Sequence, residues 1–216
     1  MSRTSEMGPA EAFVAGLFAS EDAHLQRVRA AMEAEGLPAI QLPATTARAL
    51  QLLLSLAGCR RVLEIGTLAG YSALWIARAL PDGGEVLSID RDPSRTELAR
   101  RLTAGTEVSD RLEFRTGEAM EILEAERGRG GRWDAVFLDA DKEDLPRYVA
   151  IARDLLSGGG LLVVDNALWK GQVADPAVKD DATDAIREML RQVAADSGFD
   201  ATLLTVGDGL LVARRR

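Results

Sequence analysis

Asp139, Asp165, Asn166 and Lys142 are the residues of this 216-residue chain whose types and spacing carry the most chemistry. Asp139 follows the apolar run Ala135–Leu138 and opens Asp139-Ala140-Asp141-Lys142, while Asp165 follows Leu161–Val164 and is followed by Asn166. If those runs are neighbouring strands of a parallel sheet, the three oxygen donors meet at its carboxyl edge, where open α/β sheets bind ligands. Two carboxylates and an amide oxygen make half a coordination shell for a hard cation such as Mg²⁺, with positions left open for substrate. Lys142, close behind the first donor, is within reach to act as a base. Taken singly, each group is ordinary turn chemistry. Their pairing at two strand ends is what points to a site.

For those ends to meet, strands must alternate with helices. Strands are expected at Arg61–Ile65, Glu85–Ile89, Arg111–Phe114, Ala135–Leu138 and Gly160–Val164, with helices near Tyr71–Leu80, Pro93–Thr103, Gly117–Arg127 and Leu145–Leu156. This alternation indicates βαβ units and a doubly wound parallel sheet. A last helix, about Asp180–Ala195, leads to Ala201–Val206 and Leu210–Ala213, separated only by Gly207-Asp208-Gly209. That gap is too short for a helical crossover, so a hairpin and one antiparallel edge strand are expected. Before the sheet, Met1–Pro9 reads as a mobile start and Ala10–Ala34 as one helical stretch ended by Gly36 and Pro38. Thr45 or Thr46 is the expected cap of a helix reaching Ala57. Glu124–Arg132 reads as a Gly/Arg-rich surface loop.

Length and composition fit one large α/β domain. A single cysteine, Cys59, excludes an intrachain disulfide framework and a Cys-rich zinc site. No apolar run approaches the ~20 residues of a transmembrane helix, and a cytoplasmic, membrane-free protein is the expectation. With 26 Lys and Arg against 34 Asp and Glu, the net charge of −8 disfavours nucleic acid as a partner. Arg214–Arg216 reads as a solvated basic tail. The one histidine, His24, is far in sequence from every motif, so catalysis has to proceed without histidine.

Around the first expected strand the chain reads Arg61-Val-Leu-Glu-Ile-Gly-Thr-Leu-Ala-Gly-Tyr-Ser72. Glycines at 66 and 70 bend the backbone around a ligand, yet the G-x-G-x-x-G set that admits a pyrophosphate is missing. Asp90 ends the second strand, where a carboxylate accepts hydrogen bonds from ribose hydroxyls. Gly117-Glu118-Ala119 follows the third, where a base can be held at a helix start. A nucleoside without a pyrophosphate suggests S-adenosylmethionine. Glu64-x-Gly66-x-x-x-Gly70 with Asp90 is a signature of Rossmann-like methyltransferases.

Taken together, the segments resemble the cation-dependent O-methyltransferases, the family of caffeoyl-CoA and catechol O-methyltransferases. The similar pieces are IQLPATTARALQLLL from Ile40, VLEIGTLAGYSALWIA from Val62, FLDADKEDLPRY from Phe137, VVDNALWKGQVADP from Val163 and GDGLLVAR from Gly207. The resemblance implies a class I methyltransferase fold: a seven-stranded, mostly parallel sheet with an antiparallel last strand and helices on both faces. The core would span 39–216 behind an N-terminal helical extension at 1–38. It also implies roles. Gly66, Tyr71 and Ser72, with Leu42 backbone, would hold the methionine end of the cofactor, and Glu64, Thr67 and Asp139 would also be cofactor-binding. Asp90 would take the ribose, with Gly117, Glu118 and Ala119 at adenine. Asp139, Asp165 and Asn166 would bind Mg²⁺, or Ca²⁺ or Mn²⁺ in its place. Lys142 would be the general base, with Asp139 beside it in catalysis and Asp141 near the transferring methyl. The acceptor would be a vicinal-dihydroxy aromatic molecule such as a catechol, caffeoyl ester or flavonoid, and the protein a homodimer. The loops around Ala34–Gln41 and Trp169–Ala177 match only in outline. They are the expected selectors of the acceptor, with Trp169 a wall or a packing residue.

Three alternatives stand at this point. A relative of the same family could methylate a tRNA base hydroxyl through a basic face at Arg91, Arg95, Arg100 and Arg101. An NAD(P)-dependent oxidoreductase could use Asp90 for the adenosine ribose, but leaves the paired Asp-Ala-Asp-Lys and Asp-Asn elements unexplained. A non-catalytic cofactor binder conflicts with an intact set of candidate ligands and base.

Overall fold

The computed structural model describes residues 8–216. Three helices, α1 (Pro9–Phe18), α2 (Ala23–Ala34) and α3 (Ala44–Leu56), precede the sheet. Then follow β1 (Arg61–Ile65), α4 (Tyr71–Ala77), β2 (Glu85–Asp90), α5 (Pro93–Thr103), β3 (Leu112–Thr116), α6 (Ala119–Gly128), β4 (Trp133–Leu138), α7 (Leu145–Leu155) and β5 (Leu156–Val164). Helix α8 (Asp181–Ala195) and strands β6 (Phe199–Leu204) and β7 (Leu210–Arg215) complete the chain. The sheet runs β3-β2-β1-β4-β5-β7-β6, parallel except for β7.

The near-continuous apolar strands are those of a sheet covered on both faces. Successive residues point to opposite sides. Ala135, Phe137, Val62 and Val163 join a core with α2, α3 and α4, whereas Val136, Leu138, Leu63 and Val164 join one with α6, α7 and α8. Phe137 and Leu138 are both fully buried. The register decides the site. Ile65 lies beside Ile89 and Leu138, and Leu138 beside Val164. Four strands therefore stop nearly level, and the residues that follow them share one edge.

The hairpin is present, but the antiparallel strand is not at the edge. β7 lies between β5 and β6, and β6 is the outermost strand. Burial explains the order: Leu210, Leu211 and Ala213 of β7 are buried, whereas Asp200, Ala201 and Thr202 of β6 face solvent. The apolar strand takes the interior place and the polar one the edge.

Other expectations are corrected locally. Ala10–Ala34 is two helices, because the Asp22 carboxylate accepts from the backbone N–H of His24 and Leu25 and so restarts the chain as α2. His24 itself is half-buried on α2 and contacts Arg27. Thr45 and Thr46 lie inside the first turn of α3 and Pro43 occupies the cap, so neither threonine caps it. Much of Glu124–Arg132 is helix, since α6 continues to Gly128 and its buried Glu126 pairs with Arg115 and Arg129. Arg214 and Arg215 belong to β7, and Arg216 pairs with Asp200, so the basic end is structured rather than a free tail. The mobile start expected over Met1–Pro9 lies, up to Met7, outside the described residues. Cys59 is buried and free.

Candidate active site

The loop after β1 is shaped by a steric requirement. Gly66 has φ +104°, and a Cβ there would stand 2.0 Å from the backbone oxygen of Asp139. Only glycine lets the β1–α4 turn pass this close to the end of β4. Gly70, at φ +82°, precedes α4, where a side chain would press on Ala99 and Thr103 of α5. Between the glycines, Leu68 also has positive φ, and its N–H donates to Asp90 Oδ2 at 3.0 Å. Asp90 Oδ1 accepts from Asp92 N–H, with Arg95 at 3.7 Å. One carboxylate thus ties the first two strand ends together.

Glu64 lies beneath this loop with no exposed surface. Its Oε2 accepts from Ser88 Oγ at 2.5 Å, and Ser88 Oγ lies 2.7 Å from Thr67 Oγ1. Burial, opposed by hydrogen bonds from Ser72 and Ser88, raises its pKa to about 7. Glu64 lines neither cleft described below. It supports the loop from behind.

At the next two strand ends, Asp139 N–H donates to Ile65 O and Asp165 N–H to Leu138 O, at 2.9 and 3.0 Å. These bonds continue the ladder by one residue and set the two aspartates on neighbouring strands. Lys142 Nζ lies 3.2 Å from Asp139 Oδ1, its side chain 10% exposed. Asp165 is 2% exposed, and its Oδ1 has no hydrogen-bond partner. Desolvation first, then the charge of Asp139, pushes its pKa up to about 7. An unpartnered buried carboxylate oxygen is costly unless something else binds it. Asn166 adopts φ +58°, a left-handed conformation that asparagine tolerates better than most residues. Among the described residues no cluster of three or more His, Cys, Asp or Glu suits a metal. The donor set here is two carboxylates and an amide, and the orphaned Asp165 Oδ1 fits a hard divalent cation.

Two connected clefts open on this edge. The larger, about 280 Å³, includes Asp90, Arg91, Glu118, Ala119, Asp139, Asp141, Lys142 and Asn166, with Ile40, Ile65, Ile89, Tyr148 and Trp169 as apolar walls. The smaller, about 70 Å³, is lined by Gln41, Leu42, Gly66, Thr67, Tyr71 and Ser72. Arg91 and Asp141 form an exposed ion pair of 3.0 Å between the β2 and β4 ends. Tyr71 donates its hydroxyl to Glu21 Oε1 at 2.5 Å, so the α1–α2 linker pins it, and burial raises its pKa.

The expected ligands, base and glycine loop thus share one edge, and Gly117 N–H extends it by bonding to Asp90 O. Sequence reasoning gave no role to Tyr148, Glu21 or Asp208. Tyr148 sits within the FLDADKEDLPRY segment, which offered a signal. The pairing of Tyr71 with Glu21, 50 residues apart, offered none. The basic face also reads differently in three dimensions: Arg91 pairs with Asp141, Arg95 with Asp90 and Asp92, Arg100 with Glu97, and Arg101 with Glu35.

Comparison with known proteins adds to this geometry. The O-methyltransferase family model matches residues 17–216. A catechol O-methyltransferase of Mycobacterium tuberculosis is 37% identical over 208 residues, covering 94% of this chain and 93% of the relative. One from Niastella koreensis is 34% identical over 194 residues, 89% and 87% of the two chains. Among solved structures, an O-methyltransferase from Bacillus cereus in complex with SAH superposes with a TM-score of 0.91 at 32% identity, covering 97% of this chain and 98% of that one. TomG from Streptomyces achromogenes, in complex with SAM, gives 0.90 at 33% identity, covering 100% and 99%.

Proposed function

This chain belongs to the O-methyltransferase family, and on that footing we propose that it transfers the methyl group of S-adenosylmethionine to one hydroxyl of a vicinal-dihydroxy aromatic small molecule, with a divalent cation held by Asp139, Asp165 and Asn166. One observation carries the reading: a buried, unpartnered carboxylate oxygen on Asp165, next to Asp139 and Lys142 at level strand ends beside a glycine loop. Relatives named catechol O-methyltransferase, tricin synthase and caffeoyl-CoA O-methyltransferase support the acceptor class. Four paired arginines on the basic face, and a net charge of −8, favour a small molecule over tRNA.

In this reading Asp90 accepts from the ribose, Glu118 and Ala119 flank adenine, and Gly66, Tyr71 and Ser72 with Leu42 hold the methionine end. S-adenosylmethionine contributes an electrophilic methyl, and Mg²⁺, when bound, favours the ionised form of a phenol whose ordinary pKa is near ~10. Lys142 accepts the hydroxyl proton at Nζ, and Asp139 orients that Nζ through the 3.2 Å contact. Ile40, Tyr148 and Trp169 wall the cleft and keep water from the acceptor oxygen. Alignment of this kind is worth up to ~7–11 kcal/mol of barrier. A homodimer in the cytoplasm belongs to the same proposal. Phe13, Leu17 and Phe18 on α1 and Leu52 and Leu56 on α3 stand exposed, and α1 rests on α3, an apolar surface suited to a second copy.

The test is methyl transfer followed by mass spectrometry on catechols, caffeoyl esters and flavonoids, with Mg²⁺ or with EDTA. A singly methylated product that disappears in EDTA is expected. Turnover unaffected by EDTA would remove the cation from the mechanism, and no product from any acceptor would remove the acceptor class.

A further inference from the structure

Trp169 reaches the cleft on a segment with little regular structure to hold it. Trp169, Lys170 and Gly171 all have positive φ, at 48°, 56° and 79°. Two non-glycine residues in that region persist only where the surroundings over-determine them. At the near end of the segment the restraint comes from the hairpin. Ala167 N–H donates to Gly209 O, Leu168 N–H to Asp208 O and Lys170 N–H to Asp208 Oδ1. At the far end it comes from α8, where Thr183 Oγ1 lies 3.2 Å from Gln172 Oε1 and Arg187 holds the backbone. Arg187 donates to the carbonyls of Gln172 (3.0 Å), Val173 (3.1 Å), Val178 (2.8 Å) and Asp175, and pairs with Asp184 at 2.8 Å. Its side chain is only 10% exposed. Two of these carbonyls also accept from backbone, Gln172 O from Asp175 N–H and Asp175 O from Val178 N–H, and the guanidinium's five donors reach all four at once as an ammonium's do not.

We infer that Arg187 is a positioning residue for the acceptor: it fixes the 172–178 chain and, through it, sets the Trp169 wall against the cleft that holds Lys142. The inference rests on the acceptor reading proposed above. Trp169 is within 6.0 Å of Lys142 Nζ from its ring centroid, so movement of this wall is felt where the acceptor hydroxyl would lie. Trp169 shares the larger cleft with Asp90, Glu118 and Ala119, but Arg187 bonds to none of the residues assigned to the cofactor, and the smaller cleft is lined without Trp169, so the clamp is expected to bear on the acceptor more than on the cofactor. Arg187 touches no reacting group.

Two variants and two readouts test it. Arg187→Ala removes all four carbonyl bonds, and Arg187→Lys keeps the charge toward Asp184 while losing most of them. Of the three tryptophans, Trp75 and Trp133 are buried, so acrylamide quenching of the native protein reports mainly on Trp169. Quenching is expected to rise in Arg187→Ala and by less in Arg187→Lys, and subtraction with Trp169→Phe assigns the signal. With catechol as acceptor, the acceptor KM should rise on the order of tenfold in Arg187→Ala, with a smaller fall in kcat and a distinctly smaller change in the Kd for S-adenosylmethionine. In a Trp169→Ala background the same Arg187 substitution should leave the acceptor KM where Trp169→Ala alone put it. Unchanged quenching in both Arg187 variants would overturn the inference, as would an equal loss of cofactor affinity or full additivity with Trp169→Ala. If Arg187→Ala does not fold, Arg187→Lys alone decides it by the same criteria. If the wild type methylates no catechol, caffeoyl ester or flavonoid, the acceptor reading fails, and quenching still tests the clamp.

Discussion

Replacing Asp165 with asparagine should make the metal-free protein more stable while abolishing any stabilisation by a divalent cation. The carboxyl is 2% exposed, Oδ1 has no partner and Asp139 stands beside it, so burial and a like charge both oppose ionisation. Its pKa rises from 3.8 to about 7. Between those values the folded state keeps a proton that the unfolded chain has released, so stability falls as pH rises through this window and stays reduced above it. Carried through, this costs the folded state on the order of 4 kcal/mol, a large share of a typical ~5–15 kcal/mol. Asparagine keeps the shape and removes the charge. Urea and thermal unfolding in EDTA should therefore show Asp165→Asn above the wild type near pH 8, by on the order of 10 °C in Tm, with the two converging only below about pH 4. Added Mg²⁺ should raise the wild type and leave the variant unmoved, because a ligand stabilises only the state that binds it. Superimposable wild-type and variant curves across that pH range would refute the reasoning, since the buried carboxylate would then carry no penalty for a cation to relieve.

Asp139→Ala should eliminate Mg²⁺-dependent turnover and leave S-adenosylmethionine binding, measured by calorimetry, within a few fold of wild type. Lys142→Ala should lower kcat by about 10²–10⁴, the range for loss of a general base, with little change in Tm; wild-type turnover across pH would remove Lys142 from the chemistry. Gly66→Ala should destabilise the protein by about 2–5 kcal/mol and weaken cofactor binding, because its Cβ would meet the Asp139 oxygen at 2.0 Å in a backbone at φ +104°. An unchanged urea midpoint would contradict that. Asp90→Ala should cost about 10–100-fold in cofactor affinity, read by the same calorimetry, since it removes a charged acceptor and releases Leu68 N–H.

Much of the site was legible before any coordinate. Asp139, Asp165 and Asn166 follow apolar runs short enough to be strands, and a parallel sheet has only one edge at which such followers can meet. The glycine pair at 66 and 70 and the acid at 90 announce a nucleoside without a pyrophosphate by local backbone demands alone. These features are carried by neighbours in sequence, where hydrophobic period and turn chemistry act. The places of β6 and β7 were not legible: a hairpin signal states that two strands pair, and only the competition between an apolar and a polar strand for the interior says which is outermost. The break between α1 and α2 rests on one side-chain cap inside a stretch that is helical in composition throughout. Partners far apart in sequence, Tyr71 with Glu21 and Arg187 with four carbonyls of the 172–178 chain, exist only once packing brings them together. The sequence by itself placed Asp139, Asp165 and Asn166 at strand ends and pointed to the kind of cofactor. Tertiary structure decided that Asp165 at the cleft edge keeps a buried oxygen without a partner, as Glu64 does behind the loop, and which side chains hold the walls in place, because desolvation and long-range hydrogen bonds are properties of the packed chain.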